Sequence, residues 1–93
     1  MGREDFDEIE YEKYRKLFKA VLAQAAHDAF LNRKTTKEAK LNRERARCFL
    51  SGGSDLRQVC DIADVSYARI VEVMGKISKS NNFNYKRLMD LIK

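Results

Sequence analysis

Lys37, Lys40, Arg43 and Arg47 follow one another at steps of three and four residues, the spacing that lines side chains along one face of a helix. Arg33 and Lys34, just before them, lengthen the line. Such a stripe can hold phosphate oxygens, and each contact adds affinity and salt dependence without reading a base. A solvated helix face carries the same pattern, so the stripe needs a second signal. Net charge supplies one. Residues 1–12 carry six acids against Arg3, a net −5, while the other 81 residues carry eighteen bases and eight acids, a net +10. A basic body behind an acidic leader suits a polyanionic partner.

Other chemistries find few residues to work with. His27 is the only histidine, and its neighbour Asp28 is adjacent on a helix, where consecutive side chains do not face one another. A His–Asp pair is therefore not expected. Paired carboxylates occur only in the acidic leader, and no Gly-rich phosphate loop follows a strand. Cys48 and Cys60 sit at apolar helical positions and read as buried, reduced thiols of a cytosolic protein. No metal site and no cofactor are expected from this set. The sequence predicts a protein that is not an enzyme.

The elements that must position these residues are helical. Ninety-three residues with no Pro and four Gly, 35% charged, fit one small all-α domain, a compact bundle of about five helices. Residues 1–12 are expected to form the acidic leader and 13–93 the single helical domain. No apolar run approaches the roughly 20 residues that span a bilayer, and the acidic start lacks a signal-peptide core. A cytoplasmic location is expected.

The first helix should run from about Asp7 to Leu31, with Tyr14, Leu17, Phe18, Val21, Leu22, Ala25, Ala29 and Phe30 on one side. A second should start at Thr35 or Thr36, where Thr35-x-x-Glu38 resembles a capping box. Its apolar arc would comprise Ala39, Leu41, Ala46, Cys48, Phe49 and Leu50, and Ser51-Gly52-Gly53 would end it. Ser54 or Asp55 should cap a third helix over Leu56–Ala63, and Ser66 a fourth reaching about Lys79. After the polar break Ser80-Asn81-Asn82, a fifth would run from about Asn84 to Ile92 and give Leu88, Leu91 and Ile92 to the core. Asn81 to Arg87 interleaves amides, aromatics and bases. That stretch could touch a nucleic-acid backbone or serve as a capped loop, with Phe83 or Tyr85 stapling the last helix.

Residues Val59 to Val73 have the apolar spacing of a helix-turn-helix, within about 55–79. Val59, Ile62 and Ala63 stripe the first helix, small Cys60 fits the fifth position, and Asp64-Val65 makes the turn. Ser66 caps the second helix, whose inner face carries Ile70, Val73 and Ile77. Any short helical hairpin with a serine cap imitates this pattern. The outer face should carry Tyr67, Ala68, Val71, Glu72 and Gly75, edged by Arg69, Lys76 and Lys79. Base reading favours Arg, Asn, Gln or Lys there, whereas Glu72 repels phosphate. Ala68, Val71 and Gly75 form a smooth strip that would equally admit another helix.

A longer likeness runs through "A-V-L-x-Q-A-x-x-D-A" at Ala20–Ala29, "C-F-L-S" at Cys48–Ser51 and "D-L-R-Q-V-C-D-I-A" at Asp55–Ala63. In these stretches the chain resembles small proteins carried by prophages and gene-transfer elements of alphaproteobacteria. That resemblance implies a mobile-element origin and DNA transactions, and it supplies no binding residues.

Two expectations follow, from different classes. The first is a small DNA-binding helix-turn-helix protein, a transcriptional regulator or DNA-packaging accessory of a phage or mobile element. It would contact the duplex backbone through Lys37, Lys40, Arg43, Arg47, Ser66, Tyr67, Arg69 and Lys76, and pair as a homodimer through the long first helix. The second is a helical protein–protein adaptor, or a phage-encoded inhibitor of a host nucleic-acid-handling enzyme, that binds through Ala68, Val71 and Gly75.

Overall fold

Five α-helices are present among the described residues and no strand. The computed structural model describes residues 3–76 and 81–93, with side chains from Glu10 to Lys76 and from Asn82 onward. The helices are α1 (Arg3–Phe30), α2 (Lys37–Leu50), α3 (Ser54–Ala63), α4 (Tyr67–Gly75) and α5 (Asn81–Ile92). The expected places of Ile77 and Lys79 on α4 lie outside the described residues.

No glycine or proline interrupts Arg3–Phe30, so the acidic segment is the first turns of α1 and the helix runs through position 12 without a break. Carboxylates there complement the partial positive charge of a helix start. Leu31 and Asn32 close α1 by donating their N–H groups to the His27 carbonyl at 2.8 and 3.1 Å. Asn32 Oδ1 then accepts from the Lys34 N–H at 3.2 Å, which turns the chain towards α2.

Thr36 caps α2, its hydroxyl accepting from the Ala39 N–H at 3.2 Å. The Thr35–Glu38 box is thus off by one residue: the third helical position is Ala39, and Glu38 contributes only charge to the first turn. Gly52 (φ +134°) and Gly53 (φ +126°) lead from α2 into α3 with backbone that L-residues rarely adopt. Gly53 is the cap of α3 and uses no side chain, so neither Ser54 nor Asp55 caps it. Its N–H donates instead to Tyr67 Oη at 3.0 Å, across the bundle.

Asp64 stands in the left-handed region (φ 61°, ψ 46°) and the Val65 N–H donates to the Cys60 carbonyl at 2.9 Å, the wrap that ends a helix in one residue. Ser66 Oγ accepts from the Arg69 N–H at 3.3 Å and starts α4. α5 begins at Asn81, so the amide- and aromatic-rich stretch is helix rather than capped loop.

The core takes Leu22, Ala26, Ala29 and Phe30 from α1, Leu50 from α2, and Leu56, Cys60 and Ala63 from α3. Val65, Ile70, Val73, Leu88 and Ile92 complete it. α1 packs on α2, α3 and α5, and α4 rests on α5. Ile70 and Val73 are buried on the inner face of α4 as the spacing requires. Two expectations change. Leu41 is 45% exposed, and Cys48 is exposed rather than buried, because α2 meets the bundle along Ala39 and Leu50 and both residues lie off that line. No helix among the described residues is long and apolar enough to cross a membrane.

Candidate nucleic-acid interface

The four bases of the α2 stripe divide into two pairs. Lys37 and Lys40 are exposed. Arg43 is half-buried and donates from Nη1 to the Asn32 carbonyl at 3.0 Å and from Nη2 to the Lys34 carbonyl at 3.5 Å. Arg47 donates from Nε to the Ala29 carbonyl at 2.8 Å and lies 5.2 Å over the Phe30 ring. Both guanidiniums therefore tie α2 to the end of α1 and the connection after it. The carbonyls they reach belong to a helix end and a turn, where intrahelical donors run out. Each keeps further N–H groups, since a guanidinium has five.

Around this corner the charge is concentrated. Residues 33–47 hold seven bases, Arg45 among them, against Glu38 and Glu44, a net +5. The ion pairs among the described residues are Arg15–Glu12 and Lys76–Glu72, with His27 close to Asp28, and none of these contacts engages a base of this segment.

The α3–α4 pair differs in charge. Residues 54–76 carry Arg57, Arg69 and Lys76 against Asp55, Asp61, Asp64 and Glu72, a net −1. Ser66 is occupied as the α4 cap. Tyr67 is half-buried, with its hydroxyl on the Gly53 N–H and its ring under the Arg57 guanidinium at 4.8 Å. Val71 is also half-buried against the core, and a Cβ added at Gly52 would lie 3.8 Å from it. The outward strip on α4 is therefore narrower than the spacing suggests: Ala68, Arg69, Glu72, Gly75 and Lys76 are exposed, and Tyr67 and Val71 turn towards the α2–α3 connection. Glu72 pairs with Lys76 at 3.3 Å.

The structure does not merge the two groups of candidates. Gly52, in the connection just past the end of α2, lies against Tyr67, and Lys40 is ten residues before that helix end, about 15 Å at 1.5 Å per residue. Two other arginines join α4 instead, Arg57 and, from the Asn81–Arg87 stretch, Arg87. Arg57 stacks on Tyr67, and Arg87 of α5 faces Arg69 across a cleft of about 450 Å³ that Glu72 and Asp90 also line. Arg57 is exposed on the flank of α3, about 100° around the helix from Leu56. Arg87 lies in the stretch the sequence singled out, and its place beside Arg69 comes from the packing of α5 on α4.

His27 Nδ1 lies 3.7 Å from Asp28 Oδ1, nearer than adjacent helical positions imply, yet too long for a hydrogen bond. Gln24 donates to the same carboxylate at 3.0 Å. No group of three potential metal ligands occurs among the described residues. Burial first, and the Asp61 carboxylate second, push the Cys60 thiol up to about 11. It is a buried hydrophobe with little thiolate character. No protein-family model matches the chain, and no curated protein or solved structure is significantly similar to it.

Proposed function

We propose that the protein binds duplex DNA, chiefly through phosphate contacts made by the α1–α2 corner and the outer face of α2. The observation that carries this reading is the net +5 of residues 33–47, none of whose bases is in an ion pair among the described residues. Lys37 and Lys40 supply exposed ammonium groups, and Arg43 and Arg47 contribute further N–H groups beyond those that hold the fold. The α3–turn–α4 pair, read as a helix-turn-helix, docks with Ser66, Arg69 and Lys76 towards the duplex, while half-buried Tyr67 braces the turn against Gly53. With Glu72 neutralised by Lys76, that docking is shape-led and weak in base reading. The role is that of a transcriptional regulator or packaging accessory, without catalysis. Its phage or mobile-element setting rests on the likeness over Ala20–Ala29, Cys48–Ser51 and Asp55–Ala63.

The test is binding of a fluorescent random duplex across a salt series. Measurable affinity at about 50 mM salt should fall linearly on a log–log plot, at roughly 0.9 per phosphate contact. Replacing Lys37 and Lys40 together by Ala should flatten the slope by about 2, because one contact is lost per lysine. Those two are the informative positions, since Arg43 and Arg47 also hold the fold. Absence of binding at about 50 mM salt sinks the reading.

A second reading is favoured by one observation, the net −1 of the α3–α4 pair with Ala68 and Gly75 exposed on it. On that reading α4 packs against a protein partner as an adaptor or inhibitor would. Among the described residues a Cβ at Gly75 meets no atom within 4 Å, so a side chain there starts into open space and Gly75→Leu would obstruct a bound helix. Unchanged DNA binding by Gly75→Leu, beside weakened binding with a flatter salt slope in the lysine variant, would assign the contact to α2.

A further inference from the structure

From Glu10 to Val21 no residue of α1 is buried, and the first that is fully buried is Leu22. Yet this half of the helix carries Tyr14, Leu17 and Val21, which are 51%, 56% and 41% exposed. Their spacing of three and four puts them on one line. The line leads into an open groove of about 480 Å³ between α1 and α2, lined by Val21, Ala25, Ala46 and Phe49 with Asp28 and Arg45 among its polar residues. Positions 10, 14, 17, 21, 24 and 28 alternate steps of four and three, the seam along which one helix packs on another.

We infer that a second copy of the chain covers this seam, its α1 antiparallel to the first about a two-fold axis near Leu17. Charge picks both the occupant and the direction. The first twelve residues are net −5 and the remainder net +10. α1 is one continuous helix from Arg3 to Phe30, so its acidic start lies about 40 Å from its own basic corner and cannot reach it. The acidic start of another copy can. With the axis at Leu17, position 4 of one copy lies opposite position 30 of the other, and Arg33, Lys34 and Lys37 stand exposed just beyond. A parallel pair would instead set two −5 segments side by side. Antiparallel pairing also opposes the two helix dipoles favourably. A specific interface covers about 800 Å² per partner, more than three side chains supply, so the groove residues and the acid–base flanks belong to it.

The proposal is independent of DNA binding and is tested without DNA. Sedimentation equilibrium of the full chain at about 100 µM should give twice the 10.8 kDa monomer mass. Raising the salt should shift the equilibrium towards monomer, because the flanks are ionic. Leu17→Glu and Val21→Glu, at exposed positions, should each give a monomer with an unchanged helical circular dichroism spectrum, and Tyr14→Lys serves as a third such variant. In a Cys48→Ser background, Glu10→Cys chains mixed with Gln24→Cys chains should form mixed disulfides, whereas Glu10→Cys chains alone should not. A wild-type monomer at that concentration overturns the proposal. So does a dimer that survives all three substitutions, or a disulfide formed by Glu10→Cys with itself.

Discussion

The α1–α2 corner and the α3–α4 turn both join two helices within a few residues, and they do it by opposite means. At the corner, long cationic side chains reach back: Arg43 to the carbonyls of Asn32 and Lys34, Arg47 to that of Ala29. At the α3–α4 turn the backbone closes on itself. Asp64 takes the left-handed conformation, the Val65 N–H meets the Cys60 carbonyl, and a short hydroxyl starts the next helix. The first device puts positive charge on the surface as a by-product of holding the fold. The second needs none, and its surface is close to neutral. A run of bases in a sequence can therefore serve structure and binding together, and only geometry says which base does which.

The largest effect should come from the corner. Arg47→Ala removes a charge-assisted hydrogen bond of 2.8 Å and a cation–π contact with buried Phe30. Such a bond is worth about 1.5–3 kcal/mol, so the melting temperature should drop by roughly 10 °C for a domain of this size. Arg47→Lys should recover little, since an ammonium lacks the planar fork. A variant that melts like the native chain would break the comparison, because the corner would then be held by something else.

The turn should answer to conformation rather than charge. Asp64→Val forces a β-branched residue to φ 61° and should cost about 1–2 kcal/mol, while Asp64→Gly should be neutral or slightly stabilising. Ser66→Ala removes the cap and should cost about 1 kcal/mol. Thermal denaturation of the three variants checks the order. If Asp64→Gly lost as much as Asp64→Val, the aspartate side chain rather than its backbone would be what the turn needs.

These expectations show what could be read in advance. The turn was legible because Asp64, Val65 and Ser66 act locally: left-handed tolerance and capping are properties of a residue and its next few neighbours. Ile70 and Val73 were legible because a helix of known phase must bury one side. Arg43 and Arg47 were not, because their partners lie on α1 and in the connection, up to eighteen residues away. Tyr67 and Val71 belong to the same class. They read as solvent-facing by phase alone, and it takes Gly52 and Gly53 folding back beside α4 to cover them. The α1 stripe failed differently. Its residues share a side as the spacing requires, but the bundle is shorter than the helix and leaves Tyr14, Leu17 and Val21 uncovered.

The smallest effect concerns the two cysteines, one in each region. Cys48 is exposed on α2 and Cys60 is fully buried on α3, so a thiol reagent at neutral pH should label Cys48 promptly and Cys60 only on unfolding. The pH dependence has a definite sign. Burial raises the Cys60 thiol from its ordinary 9.0 to about 11, so the folded chain favours the protonated form. That contribution is fully present below pH 9 and is lost as the pH rises through about 11. Near neutrality the thiol is protonated in the folded and the unfolded chain alike, so Cys60 adds no slope of stability with pH there. Between pH 9 and 11 the native chain should lose stability more steeply than Cys60→Ala, measured by urea denaturation at each pH. Equal slopes for the native chain and Cys60→Ala would mean that the α3 interior admits water to the thiol. The α3–α4 turn would then be a looser closure than its backbone bonds indicate.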